Sequence, residues 1–181
     1  MCALLKADLK RKVFLEKKYE GPIGVRQFLS AIADWRFLSI VFCRISIALE
    51  KRHLSFVGKL FFLLNLICFG IEVSRKCKIE GGLYFPHTIG TVIGAEKIGH
   101  NVTIYHGVTI GAKFMDTEYK SRPIIGNNVT IGSGAKILGK VVIGDNVVIG
   151  ANSVVTKSVP DNAVVMGIPA EIVKYIGGDI I

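Results

Sequence analysis

Residues 131–169 read IGSGAKILGKVVIGDNVVIGANSVVTKSVPDNAVVMGIP, and an aliphatic residue returns every sixth position at Ile131, Ile137, Ile143, Ile149 and Val155. Working outward, the spacing runs back to Ile125 and, beyond an interruption, through Ile110, Ile104, Ile98 and Val92. After one extra residue it continues through Phe85, Ile79 and Val73. Glycine follows many of these anchors, at Gly99, Gly111, Gly126, Gly132, Gly144 and Gly150, and a small or β-branched residue often stands four places on. A period of six fits neither a helix nor simple alternation, and it is a repeat length of parallel β-helices. Each hexad can supply one short strand and one turn, with the anchor pointing into a prism and glycine allowing backbone conformations that a Cβ would penalise. Stacked coils then pair their strands about 4.8 Å apart and bury a ladder of Ile and Val that no single repeat buries alone. Thirteen anchors in near-constant register argue against an ordinary β-sandwich with turn glycines.

Upstream of the repeats, residues 1–70 read as two or three helices beside the prism. Residues 37–49 and 56–69 carry apolar side chains at helical spacing, while Gly21, Pro22 and Gly24 mark a break before a segment beginning near Val25. Residues 112–123, AKFMDTEYKSRP, break the hexad register and are expected to leave the prism as a loop. The repeat domain is placed at 71–176, with 169–176 a short helix or closing strand and 177–181 a tail.

The chain of 181 residues suits one compact domain with a helical attachment. Its +9 formal charge invites a nucleic-acid reading, but the first 70 residues hold 12 basic and 5 acidic side chains, leaving little excess on the repeats and no nucleic-acid motif beside it. No nucleic-acid partner is expected. The basic, apolar N-terminal third suits either peripheral contact with the inner face of a membrane or a helical cap that packs on the prism and mediates subunit contacts. The longest strongly apolar run, residues 60–70, is interrupted by Asn65 and falls well short of the roughly 20 residues a membrane-spanning helix needs. Cys2, Cys43, Cys68 and Cys77 show no CxxC spacing and follow no signal-like segment, so they read as reduced thiols of a cytoplasmic protein.

Among the four histidines, His53 follows Lys51 and Arg52 at a helix end and reads as a surface group. His87 stands two residues after the anchor Phe85 and His106 two after Ile104, which stacks them on adjacent coils of one face. Neither a Walker phosphate loop nor a GxGxxG between a strand and a helix is present.

These repeats, and the block at 131–169 above all, resemble the left-handed parallel β-helix of the hexapeptide acyltransferases. Within that superfamily the chain is most similar to serine acetyltransferases and to related sugar O-acetyltransferases of surface-polysaccharide synthesis. The resemblance implies a mainly β fold of about four coils, preceded by a small α-helical segment. The stretch GLYFPHTIG at 82–90 corresponds to the one bearing the catalytic histidine, so His87 matches the general base, and a carboxylate fifteen residues earlier corresponds to Glu72. The chemistry suits the pair: a hydroxyl is a weak nucleophile until a base takes its proton, and a carboxylate on the far imidazole nitrogen fixes the tautomer. Tyr84, His106 and Arg122 are expected at the acceptor, His106 either lining its pocket or hydrogen-bonding near the thioester.

The implied donor is acetyl-CoA. Its pantetheine arm would lie between neighbouring prisms of a homotrimer against Gly111, Ala112, Ser133, Gly134, Ala135, Gly150 and Ala151. Lys136, Lys157 and Lys174 stand as phosphate partners, and the loop cations Lys113, Lys120 and Arg122 as contacts for an anionic acceptor or for coenzyme A. A backbone N–H near Gly111 or Ala112 would receive the oxyanion. Related prisms include zinc-dependent carbonic anhydrases with three histidines at a subunit interface. Here the hexad count sends His100 and His106 to different faces, and no metal is expected.

The chain also departs from the serine enzymes, which place an aspartate immediately before the catalytic histidine and a histidine before the loop proline. Here those positions hold Pro86 and Arg122. Both family residues help to hold the amino acid, so the sequence favours a sugar hydroxyl as acceptor, with serine as the alternative and a non-catalytic β-helical scaffold as the reading from another class.

Overall fold

The fourth helix closes on Gly70, whose φ of 64° is left-handed, and the chain turns straight into the first strand of the repeats. The computed structural model describes residues 1–113 and 121–177. Four helices precede the repeats: α1 (Cys2–Lys17), α2 (Val25–Ile32), α3 (Trp35–Glu50) and α4 (Ser55–Phe69). The sequence predicts two or three. The break at Gly21 and Pro22 separates α1 from α2, and Asp34 opens α3 by accepting from the Arg36 N–H at 2.9 Å.

The repeats form a left-handed parallel β-helix of three sheets. One sheet stacks β1 (Ile71–Val73), β3 (Thr91–Ile93), β6 (Thr109–Gly111), β9 (Lys136–Leu138) and β12 (Val154–Val155). The second stacks β2 (Lys78–Ile79), β4 (Lys97–Ile98), β7 (Ile124–Ile125) and β10 (Val142–Ile143). The third stacks β5 (Thr103–Ile104), β8 (Thr130–Ile131), β11 (Val148–Ile149) and β13 (Ala163–Gly167), and Tyr84 bridges to Thr103 above them. All these pairings are parallel. The last strand, β14 (Ala170–Tyr175), folds back antiparallel on β13 and ends the stack.

Ile98, Ile104, Ile110, Ile125, Ile131, Ile137, Ile143 and Ile149 fill the prism axis and are sealed from solvent. Each contributes about 1.5–3 kcal/mol of apolar burial. One expected anchor is corrected: Val92 is 38% exposed, and Ile93, at 1%, pairs with Val73 above and Ile110 below. The span from Phe85 to Ile93 is thus two residues longer than a hexad, and the next, to Ile98, is one shorter.

Gly90, Gly107 and Gly134, at the corner between the third and first sheets, take left-handed conformations with φ of 68° to 73° as expected, but the glycines that directly follow the anchors work differently. A Cβ on Gly126 would stand 2.7 Å from the Gly144 carbonyl carbon, and one on Gly132 would stand 2.6 Å from the Ala151 nitrogen, so these glycines admit the next coil's backbone. Left-handed conformations at the corner between the second and third sheets belong instead to Asn101, Asn128, Asn146 and Asn162, with φ between 55° and 61°. Their side-chain amides run down the corner as a ladder with donor-to-acceptor distances of 3.0 to 3.2 Å.

Two polar fastenings join the helices to the first coil. Buried Asp8 accepts from Arg44 Nε and Nη2, both at 2.9 Å, and from the N–H groups of Gly82 and Leu83, both at 2.8 Å, while Arg44 also donates to the Ile79 and Glu80 carbonyls. Lys12 donates to Glu16 and Asp34, each at 2.6 Å, Arg36 pairs with Asp34, and the Tyr84 hydroxyl donates to Glu16 at 3.0 Å. Both fastenings end on the residues that lead directly into His87.

Candidate active site

The corner that carries His87 is the lengthened one. Its extra residues are accommodated because Thr88 turns inward, fully buried, and its hydroxyl donates to the Phe69 carbonyl at 2.6 Å. Pro86 restricts the backbone on the other side, and His87 is left exposed between them. The stacking read from the hexad count holds: the His87 and His106 rings meet edge to face with centroids 5.6 Å apart.

Below them the same corner continues through residues that the sequence assigns to the donor. The Gly134 N–H donates to the His106 carbonyl at 2.9 Å and the Asn152 N–H to the Ser133 carbonyl at 2.8 Å, so His106, Ser133 and Ala151 follow one another down the edge, with Gly150 beside them. Lys136 reaches this edge as well, its ammonium donating to the Gly107 carbonyl at 2.6 Å. Ala135 is a correction. Its side chain is inside the prism, its N–H donates to the Gly132 carbonyl and its carbonyl accepts from Thr109, so it has nothing to offer a ligand.

Gly111, Ala112 and Arg122 lie at the opposite end of the first sheet. Arg122 Nη1 donates to the Gly94 carbonyl at 3.0 Å. Gly111 stands out among the repeat glycines because an added Cβ would meet nothing within 4 Å and its φ is not left-handed. Neither packing nor conformation within this chain requires glycine there, and the open space outside suits a slender ligand or a neighbouring backbone.

Between the two ends the outer face of the first sheet floors a groove of about 600 Å³, whose lining includes Glu72, Arg75, Val92, Thr109, Gly111 and Arg122. Glu72 is exposed and pairs in register with Val92, five residues beyond His87. Among the described residues no hydrogen bond joins Glu72 to His87; what they share is the same end of the molecule's first coil.

Tyr84 points elsewhere. It is 7% exposed and fastened to Glu16 on α1, and burial, then the Glu16 carboxylate, push its phenol up to about 12. It packs the helices onto the prism and does not face the groove. Lys157 is exposed beyond β12, and Lys174 is exposed on β14, remote in sequence order from the histidine coils. Lys113 is the second residue of the interval between β6 and β7, while Lys120 lies outside the described residues. Sequence reasoning missed Thr88 and the true length of its corner; the five-residue spacing from Ile93 to Ile98 was the signal that could have exposed both.

Comparison with known proteins follows the same lines. Residues 122–157 match the family described as bacterial transferase hexapeptide (six repeats). A serine acetyltransferase of Helicobacter pylori is 41% identical over 131 residues, covering 71% of this chain and 75% of that one. The crystal structure of the Brucella abortus serine acetyltransferase in complex with coenzyme A superposes with a TM-score of 0.84 at 29% identity, covering 97% of this chain and 68% of that one. That of the Neisseria gonorrhoeae serine acetyltransferase in complex with serine gives 0.80 at 31% identity, covering 96% and 69%.

Proposed function

The chain belongs to the serine acetyltransferase family and is an acetyl-CoA-dependent O-acetyltransferase; from that premise we propose that His87 is its general base and L-serine its acceptor. The observation that carries the first assignment is the exposed His87 ring on a lengthened corner, edge-on to His106 at 5.6 Å. In this reading His87 accepts the proton of the acceptor hydroxyl as its oxygen adds to the thioester carbonyl. Glu72 favours the protonated imidazole from the outer face of the neighbouring strand, and His106 borders the reacting atoms. A backbone N–H beside Gly111 or Ala112 donates to the developing oxyanion. The carbon–sulfur bond then breaks and the proton passes from His87 to the departing thiolate.

The open face at Gly111 and the edge formed by His106, Ser133, Gly134, Gly150 and Ala151 support a pantetheine arm held by small residues, with Lys136 beside it. The phosphates would meet Lys136, Lys157 or Lys174. Since the histidine corner and Gly111 occupy different ends of one sheet, a homotrimer in which neighbouring prisms share each site is the arrangement this reading requires.

Serine as acceptor draws its support from the relatives, in preference to the sugar hydroxyl that the sequence favours. The sugar reading keeps one specific support: Pro86 and Arg122 stand where the serine enzymes carry an aspartate and a histidine. Release of free coenzyme A thiol from acetyl-CoA, followed with serine and with a panel of sugars and oligosaccharides, tests the acceptor. Serine-dependent release is expected. Release with a saccharide and none with serine overturns the serine assignment, and silence with every acceptor overturns catalysis itself.

A further inference from the structure

We propose that the tip of the α3–α4 hairpin is a docking surface for a bilayer that contains anionic lipid. Lys51, Arg52 and His53 form the turn and all three are exposed, with His53 in a left-handed conformation at φ 60°. Leu54 and Phe56 follow at once, 52% and 87% exposed, and Phe56 is the most exposed large apolar side chain among the described residues. Along α4 the apolar exposure continues at Leu60 and Ile67, four and eleven residues beyond Phe56, while Leu63 turns to the groove on the first sheet. That spacing holds them on one side of the helix in a stripe about 16 Å long.

Charge decides which occupant this surface fits. Glu50 is the only acid in residues 50–69, and it is held by Arg75 and by the Ser55 hydroxyl at 3.0 Å. Lys51 and Arg52 therefore present positive charge directly beside exposed aromatic and aliphatic side chains, while Lys59 lines the groove on the first sheet. A second copy of the same tip would bring these cations against one another. An anionic headgroup layer meets the cations while the acyl boundary takes Phe56 and Leu60. No helix among the described residues is long and apolar enough to cross a membrane, so the contact is peripheral. The inference does not depend on which hydroxyl acceptor the enzyme uses.

Co-sedimentation of the full chain with phosphatidylcholine vesicles, with and without phosphatidylserine, tests it. The protein should pellet with the anionic vesicles, stay in solution with phosphatidylcholine alone, and be released at high salt. Lys51→Glu/Arg52→Glu and Phe56→Ser/Leu60→Ser should each weaken the binding about tenfold or more, with coenzyme A release unchanged. Equal sedimentation of wild type and both variants would overturn the proposal, as would failure of the wild type to pellet. Dissociation of the assembly by Phe56→Ser/Leu60→Ser, read by light scattering, would also overturn it by showing the stripe to be a subunit interface.

Discussion

His87 can be removed without disturbing the core, since its ring is exposed and meets the protein edge-on at His106. His87→Ala should therefore lower kcat about 10²- to 10⁴-fold while leaving the thermal midpoint near that of the wild type, as measured by coenzyme A release and a melting curve. Glu72→Gln should cause a smaller loss of kcat without a change in KM for acetyl-CoA. An undiminished Glu72→Gln rate would separate the carboxylate from the proton-transfer pair. The stacking of His87 on His106 is legible in the hexads, whereas the pairing of His87 with Glu72 rests on the family pattern. Ala135 is placed at the donor by the resemblance alone, whereas Val92 is placed as an anchor by spacing. Spacing assigns a residue to a position in the repeat, but whether its side chain or only its backbone reaches the outside depends on the turn that precedes it. Two extra residues at one corner moved the anchor from Val92 to Ile93.

The helices matter to the site through the two fastenings on the first coil. Tyr84 is the nearer link, three residues before His87, and its role can be separated from acceptor binding. Tyr84→Phe should lower stability by about 0.5–1.5 kcal/mol through loss of the bond to Glu16 and leave KM for the acceptor unchanged. A raised KM at constant stability would return Tyr84 to the pocket. The same cluster carries a pH dependence. Burial pushes the Asp34 carboxyl up, but donation from Arg36 and Lys12 outweighs it and holds the group well below the usual carboxylate range. Because the folded state binds this proton less readily than the unfolded chain, the contribution is complete above the ordinary carboxylate value of about 3.9 and is lost as pH falls below it. Asp34→Asn retains a capping side chain but should show a flatter decline of the thermal midpoint on acidification. The sequence predicted helices here, though not these contacts, because a residue such as Asp8 gives no local sign that its partners lie 36 and more positions away.

At the scale of the whole molecule the prism separates what the chemistry must combine. His87 stands where the third sheet turns into the first, and Gly111 stands where the first turns toward the second, so a site that uses both is most simply completed across a boundary between two copies. Two inactive variants can test this. His87→Ala removes the base, and Gly111→Val obstructs the donor side at a position where a side chain meets nothing within its own chain, so both should fold. Each alone should be inactive as a homotrimer. When the two are co-expressed, a site recovers wherever the histidine comes from one variant and the glycine from the other. Random assembly of a closed ring at equal amounts places those two halves together at about a quarter of the interfaces. Coenzyme A release should therefore return to about a quarter of the wild-type rate in the mixture, and only after subunits have been allowed to exchange or assemble together. No recovery in a mixture shown by light scattering to contain mixed trimers would mean that each chain builds its site alone, with the groove on the first sheet serving His87 of the same protomer.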